Sequence, residues 1–217
     1  MITRIRLVVA TAVLALLAGC STIVGKRESL SLYAPEAKVQ PDAAWPQVDW
    51  ALQIPRPHAS ELLDSPRIVV RPADGELQVY HAAIWAEPTP DLVQDAVLRA
   101  FEDSGRIGAV ARRGTGVKAD YELLLDIRNF ESDYAGGATP SADVQIVAKL
   151  VANRTNTVVA TRMLKQRTPA ASTKVGDVAR AFDAALSAAV KDVVGWALVE
   201  GQKFDQAHPA PVPPIKR

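Results

Sequence analysis

The stretch ADVQIVAKLVANRTNTVVATRML, residues 142–164, decides the fold. Val144, Ile146, Ala148 and Leu150 recur at every second position, the period of a strand with one buried face. Asn153-Arg154-Thr155-Asn156 is a turn, and Val158–Leu164 returns, so the segment predicts an antiparallel hairpin. Upstream, Tyr121–Ile127 runs through Asn129 and Phe130 as a further strand. Arg67–Tyr80 reads as a second hairpin, with Asp74-Gly75 at its turn. Val48, Trp50, Leu52 and Ile54 alternate with polar or small residues until Pro55, which marks another half-buried strand. Ser29–Tyr33 alternates before Pro35, and a short strand is expected near Gly108–Arg112. Residues 35–47, with prolines at 35, 41 and 46, read as a connecting loop.

Two segments change period from 2 to 3.6. Leu92, Val93, Ala96, Val97, Ala100 and Phe101 form one apolar stripe. Thr89 is the expected N-cap with Pro90 at the first helical position; Asp95 and Arg99 sit four apart on the wet side, and Ser104-Gly105 is the stop. From about Lys174 to Glu200, Phe182, Leu186, Ala189, Val193 and Trp196 make a sustained seam, flanked by alanines that permit close approach. Strand runs joined by tight turns, with two amphipathic helices between and after them, predict an α+β domain. Its sheet is antiparallel or mixed, and both main helices pack on one face.

The amino end carries a different signal. Arg4 and Arg6 precede an apolar run from Leu7 to Ala18, broken only by Thr11. A run of this length is too short to span a bilayer and suits the h-region of a secretory signal peptide. Leu17-Ala18-Gly19-Cys20 matches the bacterial lipobox, and Cys20 is the chain's only cysteine. Residues 1–19 are therefore expected to be removed and Cys20 to become the acylated first residue of the mature chain. It would carry a covalent diacylglycerol and an N-acyl chain such as palmitate, with no other cofactor. Each CH₂ of these chains buried in the bilayer contributes about 0.8 kcal/mol of anchoring. The mature chain then has no disulfide and no free thiol. The expected organisation is signal 1–19, tether 20–27, one domain over 28–204 and a Pro-rich tail over 205–217. Ser21–Lys26 would extend to about 20 Å at ~3.3 Å per residue. Serine at position 21 favours the outer over the inner membrane by the sorting rule of enteric lipoproteins, which places the domain on the periplasmic face.

Charge excludes one class of partner. Loss of the two signal arginines leaves 23 basic against 24 acidic residues, a net of −1. No basic field is available to hold nucleic acid.

Catalytic and metal motifs are missing. The three histidines, His58, His81 and His208, have no metal-ligand spacing, and neither GxSxG nor SxxK occurs. Asp64-Ser65 lies close to His58 in sequence, which alone does not make a triad. No catalytic or metal-binding residue is assigned. Trp50, Trp85 and Trp196 either line a lipid groove or fill the core, and one sequence leaves both open. Trp45, in the Pro-rich Pro41–Pro46 stretch, is expected to be exposed and is a candidate partner contact.

Pro66–Val70, Leu77-x-Val79-Tyr80, Trp85-Ala86-Glu87-Pro88 before an amphipathic helix, Ala119–Leu123 entering a strand that ends near Phe130, and Val178–Phe182 with Trp196 near the helix end occur in this order. Together these segments resemble the ABC-type transport auxiliary lipoproteins. The chain departs from the family at Ile84, where a polar or basic residue is more common. The resemblance implies a non-enzymatic component at the outer membrane that meets the periplasmic end of a mammalian-cell-entry (Mce) domain assembly. Phospholipid would pass between membranes and ATP would be consumed by a partner. It implies an Mce-domain protein as partner and phospholipid as a candidate ligand, with self-association into a homo-oligomer left open; Trp45, Trp85 and Tyr80 are the candidate partner or lipid contacts. Two other readings of the residues stay open: an assembly lipoprotein of the pilotin kind, and a periplasmic hydrolase.

Overall fold

The computed structural model describes residues 29–116 and 118–209. The signal peptide, Cys20 and most of the expected tail lie outside the described residues. The folded unit is taken from Ser31 onward.

Its spine is β7 (Tyr121–Asp133). One edge of β7 pairs antiparallel with β8 (Ser141–Ala152) along its whole length, from Tyr121 opposite Ala152 to Asp133 opposite Ser141. The other edge receives three parallel strands in succession. β2 (Val48–Ile54) pairs Leu52 with Tyr121, β3 (His58–Ala59) pairs His58 with Asp126, and β4 (Arg67–Arg71) pairs Val69 with Glu131. Pro55, Pro57 and Pro66 fall between them; proline donates no ladder hydrogen bond, so what could have been one long strand is cut into three. β5 (Gln78–Trp85) completes the expected hairpin with β4 and runs on to Trp85. A bulge around Ala82, whose φ is 53°, re-registers β5 between Val79 and Ile84. β1 (Ser31–Tyr33) adds parallel to β5, β6 (Ile107–Arg112) adds parallel to β2, and β9 (Thr157–Pro169) pairs along β8. The sheet is mixed, as the sequence predicts.

α1 (Thr89–Ser104) has the expected stripe inward, with Val93, Val97 and Phe101 fully buried. Its start differs from expectation. Pro88 is the N-cap, its carbonyl accepting from the N–H groups of Asp91 and Leu92, while the Thr89 hydroxyl is buried without a partner. Gly105 closes the helix in the left-handed conformation at φ 60°, as its place after Ser104 foretold. α2 (Val175–Ala207) runs three residues into the expected tail. It lies across β8 and β9 and against α1, so both helices cover the same side of the sheet.

The core sits between that sheet face and the helices. Phe130, Phe182 and Trp85 form its aromatic centre, with Phe130–Phe182 ring centroids 4.7 Å apart and Trp85–Phe182 5.0 Å. The inward residues of β8 from Ala142 to Leu150 are all fully buried beneath α2.

The Pro-rich 35–47 segment is a strap laid along α2 rather than a free loop. The Glu36 N–H donates to Asp183 Oδ1 at 3.0 Å and the Lys38 N–H to Ser187 Oγ at 2.9 Å. Farther along, a Cβ on Gly195 would lie 2.4 Å from Trp45 Nε1, and one on Gly201 would lie 2.6 Å from the Trp50 ring. A glycine inside a helix costs about 1 kcal/mol relative to alanine. Here that loss is offset by seating two indoles against the helix backbone, each the largest burial a single side chain can offer.

Candidate functional site

Asp64 and Ser65, which lie close to His58 in sequence, are engaged in structural bonds. Arg56 donates to Asp64 at 2.6 and 2.9 Å and to Asp91 at 2.6 and 3.0 Å, tying the end of β2 to the first turn of α1. The Arg56 hydrogen bonds hold the Asp64 carboxyl below its usual range, against the opposing effect of burial. The Ser65 hydroxyl donates to the Leu62 carbonyl. His58 is exposed, with Nδ1 3.6 Å from Asp126 Oδ1. His208 stacks on Phe204. Asp64, Ser65 and His58 therefore form no relay, and among the described residues no group of ligating side chains is placed to hold a metal ion.

The aromatic candidates turn inward. Trp85 is 1 % exposed, and the indole fills the core instead of lining a groove. Trp45 is 8 % exposed, so the expectation that the Pro-rich stretch exposes it is corrected; Gly195 supplies the notch that takes it in. Trp50 and Trp196 are buried as well. Tyr80 is half-buried, its hydroxyl 2.9 Å from Ser132 Oγ, and burial raises its pKa above the ordinary tyrosine value. Tyr121, also raised chiefly by burial, donates to Asp205 Oδ1 at 2.7 Å. Both phenols stay protonated; Tyr121 is a structural donor, and Tyr80 shares a hydrogen bond with the Ser132 hydroxyl.

Among the recesses of the described residues is a groove of about 580 Å³ between the strap and α1. Its floor is made by Ala37, Val39, Leu92, Ala96 and Ala100. Its rim carries Glu36, Glu87, Asp95 and Asp103, with Arg99 as the one base. Asp95 is held at 2.5 Å by Arg112 of β6 and lies 3.8 Å from Arg99. Glu87 and Asp103 make no salt bridge among the described residues. The strap wall is fixed by its bonds to α2, and desolvation there pushes the Asp183 carboxyl up from its ordinary value. Sequence reasoning did not assemble this groove. It placed Asp95 and Arg99 on the wet side of α1, and that wet side is one wall; the opposite wall lies some sixty residues earlier in the chain, and no local pattern links them.

The fold is an α+β domain with both helices on one side of a mixed sheet, and no helix among the described residues is long and apolar enough to cross a membrane. Comparison with known proteins makes the class specific. Residues 30–194 match the model of the ABC-type transport auxiliary lipoprotein component family, and the chain belongs to that family. It is similar to protein XCC0632 from Xanthomonas campestris, with 48% identity, a TM-score of 0.79, and coverage of 81% of this chain and 99% of that one. A further solved protein shares the fold at 12% identity and a TM-score of 0.58, covering 77% of this chain and 97% of that one. The uncharacterized protein bll6063 of Bradyrhizobium diazoefficiens is 28% identical over 174 residues, 76% of this chain. The chain spans less than half of that relative's length, 46%.

Proposed function

We propose that this chain is the lipid-anchored, non-enzymatic auxiliary component of an Mce-type ABC lipid transport system, acylated at Cys20 and held at the periplasmic face of the outer membrane. There it docks the periplasmic assembly through which phospholipid passes. The observation that carries this reading is the family match over residues 30–194, which begins ten residues after a lipobox built on the only cysteine of the chain. In support, Asp64 and Ser65 are committed to structural bonds and do not form a relay with the exposed His58. A tether of a few residues confines the domain to a thin layer next to the bilayer and raises its effective concentration for a partner assembled there.

Affinity purification of the tagged, acylated protein from membranes, read by mass spectrometry, tests the reading. An Mce-domain protein should be recovered with it; repeated recovery without one overturns the transport role. Cys20→Ser should move the protein from the membrane to the soluble fraction and abolish recovery of the partner.

A further inference from the structure

We infer that the groove between the strap and α1 docks a cationic, amphipathic segment of a protein partner. This extends the proposed function to a surface, and rests on it only in taking the partner to be a protein.

Three features of the groove set the chemistry of its occupant. The floor is apolar and built largely from alanine, so side chains larger than those present would be received from outside. At about 580 Å³ it lies within the range of preformed ligand sites. The rim is acidic: four carboxylates face one lining guanidinium, with Lys38 beside Glu36 and Arg112 beside Asp95 just outside the lining. Asp95 is already answered by Arg112 and Arg99, whereas Glu87 and Asp103 have no salt-bridge partner among the described residues. These two carboxylates are left to attract cations and repel anions. Finally, both walls are held in place. One is helix α1; the other is the strap, pinned through Glu36 and Lys38 to Asp183 and Ser187, so little ordering is needed on binding.

A bilayer surface fits badly here. It is flat where the site is concave, and its phosphates would face carboxylates. A free metal ion or amine would leave the apolar floor uncovered. A segment with aliphatic side chains on one side and lysine or arginine on the other satisfies both floor and rim.

The test uses the full-length acylated protein in its own membranes, with a photo-crosslinking residue at Ala96 on the groove floor or, separately, at Met163 on the open sheet face. From Ala96 we expect a crosslink to a protein peptide that combines lysine or arginine with aliphatic residues. The yield should fall at least about fivefold in Glu87→Lys/Asp103→Lys, and by a smaller factor in Glu87→Gln/Asp103→Asn. Raised salt should lower it as well. Both substituted residues are exposed, so the variants keep the fold. Crosslinks to phospholipid, to residues 210–217 of the same chain, or to a neutral or acidic peptide overturn the inference, as do no crosslink at Ala96 or a yield untouched by charge reversal. An Mce-domain protein crosslinked only from Met163 would spare the proposed function and refute the groove. A cationic segment of some other protein crosslinked from Ala96 would do the reverse.

Discussion

β8 and β9 are paired neighbours of nearly equal length, yet their fates differ. Under α2, the inward side chains of β8 are sealed from water. On β9, at the sheet edge, only Leu164 is buried, while Val158 and Met163 stand 57 % and 54 % exposed. The uncovered face of β7–β9 sets Met163 opposite Val147 and Val158 opposite Val151, beside Leu124. Period-two patterning thus specifies which residues share a face; place in the sheet decides whether that face is dry.

The contrast can be broken most sharply at Leu150. Leu150→Ala in β8 should cost about 2–5 kcal/mol by chemical denaturation, because a fully buried side chain leaves a cavity. Met163→Ala in β9 should stay within about 0.5 kcal/mol. Equal losses would mean that the open face is covered in solution.

A second contrast lies within α2. Gly195→Ala should destabilise by about 1–3 kcal/mol despite better helix propensity, since the new Cβ meets Trp45, and the tryptophan emission should shift to the red as the indole is displaced. Gly176→Ala, whose nearest neighbours are 3.9 Å or more away, should be neutral or stabilising by up to about 0.5 kcal/mol.

Charge on the two faces titrates with opposite sign. For Asp133, burial alone would raise the carboxyl, but Arg167, the Ala135 N–H and Arg71 outweigh it and hold it below the ordinary value. Its contribution is present above the unfolded pKa near ~3.9 and is lost as pH falls through the lower folded value. Arg167→Ala should cost about 1 kcal/mol at pH 7 after solvent screening, and the loss should disappear in strong acid. Asp183, under the strap, is raised, chiefly by burial, so the folded state gains stability as pH falls toward the ordinary carboxylate range. Asp183→Asn keeps an acceptor for the Glu36 N–H and should stabilise by a few tenths of a kcal/mol at pH 7, with no effect in acid. A destabilised Asn variant would show that the charge itself holds the strap.

Most local elements were legible in sequence because their patterns are local. The alternation of Val48–Ile54, the stripe of Leu92–Phe101 and the seam from Phe182 to Trp196 all face inward as expected. Parallel docking of β2, β3 and β4 onto β7 was not legible, since no turn signal joins strands so far apart in the chain. Strand β3, two residues between prolines, has no periodicity to detect. Trp45 misled because its prolines signal a loop; the matching signal was Gly195, a helix-interior glycine that asks for a packing reason. Of the groove, Ala86-Glu87 belongs to the motif that carried the family resemblance and Asp95 to a recognised helix face. Their meeting with the strap is a tertiary event that no single-chain pattern encodes.

The shared edge of β7 also governs the order in which this molecule can assemble. Leu52 waits for Tyr121 and Val69 for Glu131, so β2, β3 and β4 each keep one edge unpaired until β7 is available, although β4 can already pair with β5 and β2 with β6. Contacts of such long sequence separation slow folding. A polypeptide delivered from its amino end keeps that half open until residue 133 has emerged, and its folding rate should therefore follow substitutions in β7 more closely than substitutions in the strands that precede it.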